Sequence, residues 1–269
     1  MLSVMRHSGA SQRARSSPTG PLARITGMRP VDRSVLVVIP ALNEEESVAD
    51  VVRDVEAAYP SARCLVIDDG SNDATGQRAR DAGADVLTLP FNLGVGGAMR
   101  AGFRFARAHG HDVVVQVDAD GQHEPQMISD MVARLADTDL VIGARFAGKG
   151  EYGVRGPRKW AMRVLARVIS RVASARLTDV TSGFKAAGPR AVELFADEFP
   201  AEYLGDTIEA LVIAARAGLR IEQIPVAMRV RQGGQASHHP ARAAVYLIRA
   251  CAAFGLAMIR PRAQLRSDA

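Results

Sequence analysis

From Ser34 to Arg145 the chain alternates short apolar runs with amphipathic stretches. Val35–Ile39 is β-branched-rich, ends at Pro40 and runs into a polar turn, the pattern of a buried strand. Glu44–Tyr59 then places Val48, Val51, Val52 and Val55 at helical spacing. Cys64–Ile67 predicts a second strand, stopped by the turn formers Asp68-Asp69-Gly70-Ser71. A helix around Ala74–Ala82 leads to a third strand at Asp85–Leu89. Gly94–His109 reads as a helix, Asp112–Val117 as a fourth strand, Pro125–Ala136 as a helix and Leu140–Ile142 as a fifth strand. Such alternation implies an α/β fold with a mainly parallel sheet covered on both faces. Ligands of such sheets bind beyond the carboxyl ends of the strands. The polar clusters at 43–46, 68–73 and 118–123 all fall at those ends.

Downstream the texture changes. In Pro157–Leu177, Lys159, Arg163, Arg167 and Arg171 recur every fourth residue, with Trp160, Val164, Leu165, Val168, Ile169 and Val172 on the other side. This is the pattern of a basic amphipathic helix on a membrane surface, or of a surface helix with solvated arginines. The stretch 155–176 holds seven basic residues and no acid, which favours the membrane. Asp206–Ala217 predicts another helix. The mostly apolar 241–260 carries Arg249 at its middle, which favours an interfacial helix over a span and leaves packing on the core as the alternative.

Charge sharpens this division. The tail 1–33 holds six arginines and one acid without periodicity, and reads as disordered. Residues 228–269 hold seven basic residues and one acid, whereas everything outside these three segments has 14 basic and 27 acidic residues. Basicity confined to amphipathic and terminal segments fits an anionic membrane surface better than nucleic acid. Two cysteines exclude a disulfide framework, and Cys64, in an apolar run, reads as a reduced core thiol. No apolar region follows the first basic residues, so a cytoplasmic chain peripheral to the membrane is expected. The expected organisation is a tail at 1–33, a catalytic domain at 34–235 containing the basic helix at 155–177, and a C-terminal interfacial segment at 236–269.

The chemistry concentrates at Asp118-Ala119-Asp120-Gly121-Gln122-His123, just after an apolar strand. Two carboxylates one residue apart in a turn can both reach a divalent cation, and hard oxygen ligands suit Mg²⁺ or Mn²⁺ bridging to a diphosphate. A dinucleotide fingerprint is excluded at Gly94-Val95-Gly96-Gly97, which lacks the G-x-G-x-x-G spacing and follows the third strand.

Several segments in order resemble family-2 glycosyltransferases: Val38–Glu44, Val66–Asp73, Asn92–Ala98 and Asp118–His123. Asp179-Val180-Thr181-Ser182-Gly183-Phe184-Lys185 narrows the resemblance to dolichol-phosphate and polyprenyl-phosphate sugar synthases, over roughly 34–240. It implies a GT-A fold, with Pro40, Ala41, Asn43, Glu44 and Asp69 lining the nucleotide and Asp68 supporting the turn. Asp118, Asp120 and Gln122 would hold the metal. Arg145 would lie near the diphosphate and acceptor phosphate, Asp179, Ser182 and Gly183 on the acceptor side, and Arg231 and Ser237 on a phosphate-contacting loop. That loop departs from the family pattern at Gln235-Ala236-Ser237, and Val95 stands where many relatives carry lysine.

A sugar hydroxyl needs a general base to become nucleophilic, whereas a lipid monophosphate is already anionic near neutral pH. The expected reaction is inverting transfer from a nucleotide-sugar of the GDP-mannose or UDP-hexose type to a polyprenyl phosphate, with Asp120, Asp179, Arg145 and Arg231 at its centre. Two other readings stand beside it. One is transfer to a carbohydrate hydroxyl with Asp206 or Glu209 as base, although Glu209 reads equally as a capping or solvated side chain. The other is a non-catalytic nucleotide-sugar-binding module.

Overall fold

The computed structural model describes residues 33–145, 166–201, 206–229 and 255. The described residues build one seven-stranded sheet in the order β3-β2-β1-β4-β6-β5-β7. Its strands are β1 (Val35–Ala41), β2 (Arg63–Asp68), β3 (Asp85–Thr88), β4 (Val113–Gln116), β5 (Leu140–Arg145), β6 (Lys185–Ala187) and β7 (Ile221–Val226). All neighbours pair in parallel except around β6, which runs antiparallel between β4 and β5. The helices are α1 (Val48–Ala58), α2 (Thr75–Asp81), α3 (Gly94–Ala108), α4 (Ile128–Arg134, preceded by a 3₁₀ turn at Pro125–Met127), α5 (166–173), α6 (Pro189–Glu198) and α7 (Asp206–Arg216).

The sheet is sandwiched because its central strands are apolar on both faces. Every residue of β1 is buried. Val35, Val37 and Ile39 face a cluster with Val48, Val51, Val52 and Val55 of α1 and with Ile128, Met131 and Val132 of α4. Leu36 and Val38 face the opposite cluster, built from α3, α5, α6 and α7. Each fully buried side chain of this kind contributes roughly 1.5–3 kcal/mol. Gly102 lets α3 close on β1, since a Cβ there would lie 2.6 Å from Val38 Cγ1. The rings of Phe103, Phe195 and Phe199 meet at 5.1–5.2 Å between centroids, joining α3 to α6. Pro40, in a central strand, is tolerated for a geometric reason. Val38, two residues earlier, accepts from Val117 on the β4 side, so the N–H that Pro40 lacks would point to that side, beyond the last paired residue of β4.

All five expected strands form. The helix expected from Glu44 begins at Val48, after a turn in which the amides of Glu44 and Glu45 bond to Thr75 and Asp73 and the Glu44 carbonyl accepts from Val48. β6, α6 and β7 were not foreseen. At α5 the apolar stripe turns inward: Ala166, Ile169 and Ala173 join the core, while Arg167, Val168 and Arg171 are exposed. Ile169, fully buried, is therefore unavailable to a membrane, since its contacts are with the helix's own domain. The rest of the basic stripe, the tail and the interfacial segment at 241–260 lie outside the described residues apart from Gly255. Among the described residues no helix is long and apolar enough to cross a membrane.

Candidate active site

The parallel strands all end on one edge, at Ala41, Asp68, Thr88, Gln116, Arg145 and Val226. The loops leaving this edge are fastened to one another. The first holds Asn43 in a left-handed conformation (φ 54°), which asparagine tolerates better than most residues. Asn43 Oδ1 accepts from the Asn72 amide at 2.9 Å, while its own amide donates to Ser71 Oγ at 3.0 Å. The Glu44 amide donates to Thr75 Oγ1 at 2.8 Å, and Glu45 accepts from the Ala74 amide at 3.1 Å. Polar groups of the two loops thus satisfy each other and the start of α2.

Asp68 and Asp69 are both buried, with separate tasks. Asp68 Oδ1 accepts from the Ser71 amide at 3.0 Å, and Gly76 of α2 leaves room for Oδ2, which a Cβ there would approach to 2.8 Å. Asp69 receives the amides of Leu93 and Gly94, at 2.7 and 2.8 Å, and so seats the N-terminus of α3. Burial pushes its carboxyl above the ordinary 3.8, with the two amides pulling the other way and the Asp68 charge adding to the rise. At Asp73 burial also opposes ionisation, but hydrogen bonds from Thr75 and Glu45 outweigh it and hold the carboxyl below 3.8.

The third loop carries Asp118, Asp120 and Gln122. It turns at Gly121 (φ 74°), and the Gln122 amide donates to Asp120 Oδ1 at 3.0 Å. Asp118 is held from below while its side chain stays 38% exposed. Gln116 Nε2 donates to Asp118 Oδ1 at 3.1 Å. His123 is buried, accepts the Asp118 amide on Nδ1 at 3.0 Å, and so directs Nε2 at Asp118 Oδ2, 3.5 Å away. The imidazole stacks on Phe184, with centroids 4.8 Å apart and planes 15° apart. Next to Phe184, Gly183 abuts the same carboxylate: a Cβ there would stand 2.8 Å from Asp118 Oδ2 and 3.0 Å from Oδ1. The Asp179–Lys185 segment thus meets the Asp118–His123 turn at the Asp118 carboxylate.

These donors fit a divalent cation of the hard type. Asp118 and Asp120 offer carboxylate oxygens and Gln122 an amide oxygen, all on one turn. Among the described residues no group of three His, Cys, Asp or Glu side chains is placed to hold a metal ion by itself. Such a set leaves positions for oxygens of a ligand, which suits an ion shared with a diphosphate.

The loop before β6 is braced by β7. Gln223 Oε1 accepts from the amide and hydroxyl of Thr178 at 2.6 and 2.9 Å, and its Nε2 donates to the Asp179 carbonyl at 2.6 Å. Asp179 Oδ1 accepts from the Thr181 amide and hydroxyl. Ser182 is buried, and its hydroxyl donates to the Gly143 carbonyl and accepts from the Phe184 amide, so it shapes the loop from within. Arg145 closes β5 in register with Val226; its side chain, like Arg231 and Ser237 entirely, lies outside the described residues. Glu209 is buried in α7, which sets aside its reading as a solvated residue, and the side chain of Asp206 is outside the described residues. Sequence reading missed Gln116, the bracing role of His123, and Gln223. The His was visible inside the motif and Gln116 stands two residues before Asp118, but Gln223 gains meaning only from its pairing with a distant loop.

Comparison with known proteins agrees with this architecture. Residues 36–193 match the family model for glycosyl transferase family 2. The undecaprenyl-phosphate mannosyltransferase of Micrococcus luteus is 34% identical over 214 residues, covering 75% of this chain and 86% of the relative. The polyprenol monophosphomannose synthase of Mycolicibacterium smegmatis is 36% identical over 174 residues, 59% of this chain and 63% of that one. Among solved structures, glucosyl-3-phosphoglycerate synthase from Mycobacterium tuberculosis, in complex with Mn²⁺, UDP-glucose and phosphoglyceric acid, superposes with a TM-score of 0.66 at 23% identity, covering 86% of this chain and 82% of that one. A sheet whose loops converge on a carboxylate turn, and a family match across most of that sheet, lead to one conclusion: the chain belongs to glycosyl transferase family 2 and is a glycosyltransferase of GT-A-like α/β fold.

Proposed function

We propose that the protein transfers a hexose from a nucleotide-sugar, of the GDP-mannose or UDP-hexose type, to a polyprenyl phosphate, with inversion, at the cytoplasmic face of a membrane. The observation that carries this reading is the junction of Gly183 with the Asp118 carboxylate, which on this reading would join the acceptor-side loop to the metal turn. The names of both mannosyl-transferring relatives point to the same acceptor class.

In this reading Pro40, Ala41, Asn43 and Glu44 line the donor nucleotide, and Asp68 and Asp69 fix the loops beneath it. Asp118, Asp120 and Gln122 would hold Mg²⁺ or Mn²⁺, which when bound supplies positive charge to the departing diphosphate. Gln116 and His123 orient Asp118, and Gly183 leaves the carboxylate its space. Asp179, Ser182 and Gly183 shape the acceptor side, and Arg145, Arg231 and Ser237 would bind phosphate oxygens. An acceptor phosphate is anionic, so the protein's task is to hold two anions together, which calls for arginines more than for a base. The exposed Arg167 and Arg171 would face anionic lipid.

The test is incubation of the full chain with Mn²⁺ or Mg²⁺, a short polyprenyl phosphate and radiolabelled nucleotide-sugars. Label is expected in the lipid phase, lost on chelation and restored by metal. Label appearing only on a sugar hydroxyl would overturn the acceptor assignment.

A further inference from the structure

We propose that Arg229, outside every motif considered above, is a positioning residue that clamps the end of β7 to the metal turn. It rests on the metal reading of Asp118, Asp120 and Gln122.

Beyond Val226 the chain leaves the sheet and meets the metal turn in a single antiparallel bridge, His123 with Met228. The Arg229 amide donates to the Gln122 carbonyl at 2.9 Å. One bridge outside a sheet is marginal by itself, because few hydrogen bonds offset the ordering of two segments. The Arg229 side chain supplies what the bridge lacks. Its guanidinium forms an ion pair with Asp54 of α1 and donates from Nη2 to Gln126 Oε1, at 3.1 Å, in the 3₁₀ turn after the metal loop. One planar fork thereby joins α1, the end of the metal loop and the strand end.

The side chains of Arg229 and Asp54 are 30% and 44% exposed, so the pair does little for overall stability. Its effect is geometric. Holding Arg229 fixes the peptide between Gln122 and His123. That peptide sets the direction of an expected metal ligand and of the imidazole that braces Asp118. Groups that orient metal ligands without touching the metal change affinity by about 10–100-fold when lost.

The experiment measures Mn²⁺ binding, with UDP or GDP present, by the full chain, alongside hydrogen exchange of the residue-229 amide, which is the one bonded to Gln122. Arg229→Gln and Asp54→Asn should each weaken Mn²⁺ binding by about tenfold and speed exchange at that amide. Arg229→Lys should fall between. Combining Asp54→Arg with Arg229→Asp should restore affinity towards the parent. Arg53→Gln, which removes an exposed pair with Asp50 on the same helix, should leave both readouts unchanged. Mn²⁺ affinity within twofold of the parent in both Arg229→Gln and Asp54→Asn would overturn the clamp, as would equal weakening in Arg53→Gln. A parent chain that binds no Mn²⁺ would instead sink the metal reading itself, and transfer to an acceptor other than polyprenyl phosphate would sink only the proposed function.

Discussion

The two halves of the sheet are built by different rules. From β1 to β4 the strands run parallel, and the loops at their ends are sewn together by hydrogen bonds between Asn43, Ser71, Asn72, Asp73 and Thr75. From β5 to β7 an antiparallel strand is inserted, and its loop is braced from across the sheet by Gln223. The first half organises its edge from within, through partners 28–31 residues apart. The second owes its shape to partners more than 40 residues away, and meets the first where Gly183 touches Asp118.

Five changes would break or sharpen this comparison. Asp118→Asn should cost the most, on the order of 10³-fold in kcat, because on the proposed reading it removes a carboxylate needed to hold the cation that offsets charge on the leaving diphosphate. Circular dichroism should stay that of the parent. Gly183→Ala tests the junction itself: the new methyl would crowd both oxygens of Asp118, and misplacement of that size costs roughly 10²-fold. Its thermal midpoint should move little, so a variant that keeps full activity would separate the two halves functionally. Gly102→Ala tests packing away from the site. Its Cβ would push into Val38, and urea unfolding should show a loss of about 1–3 kcal/mol with kcat nearly unchanged.

The smallest effects are two opposed pH slopes. The Asp69 carboxyl is raised in the folded protein, so its ionisation costs stability. Its contribution should decline as pH rises from 3.8 through the raised folded value, and level off above that. Asp73 is lowered, so its contribution is present above 3.8 and lost as pH falls through the folded value. Urea midpoints measured across this range should lose the falling slope in Asp69→Asn and the rising one in Asp73→Asn. Parallel profiles for the two variants would show that the loops are not held as described.

The cysteine reading belongs with the first half. Cys64, in β2, is half-buried, and burial chiefly, with Asp85 and Glu56 adding to it, pushes its thiol up to about 12, which leaves it unreactive near neutrality.

The sequence by itself determined the parallel half, the edge on which chemistry sits and the carboxylate turn. Those features are local: apolar runs of three to five residues, helical spacing in α1 and α3, and turn formers at strand ends follow from neighbouring residues. Tertiary structure alone decided three things. Lys185-Ala186-Ala187 became an antiparallel strand because β4 and β5 flank it, not because three such residues favour extension. α6 is not one of them, since it carried readable signals, a Gly-Pro start and apolar positions at 191, 192, 194 and 195. Ile169 went inward because the core cluster of α3, α6 and α7 offered it a drier surface than water, whatever the arginines beside it suggested. Asp54, Gln126 and Arg229 form a single junction only after folding brings them together, and no spacing along the chain encodes that meeting.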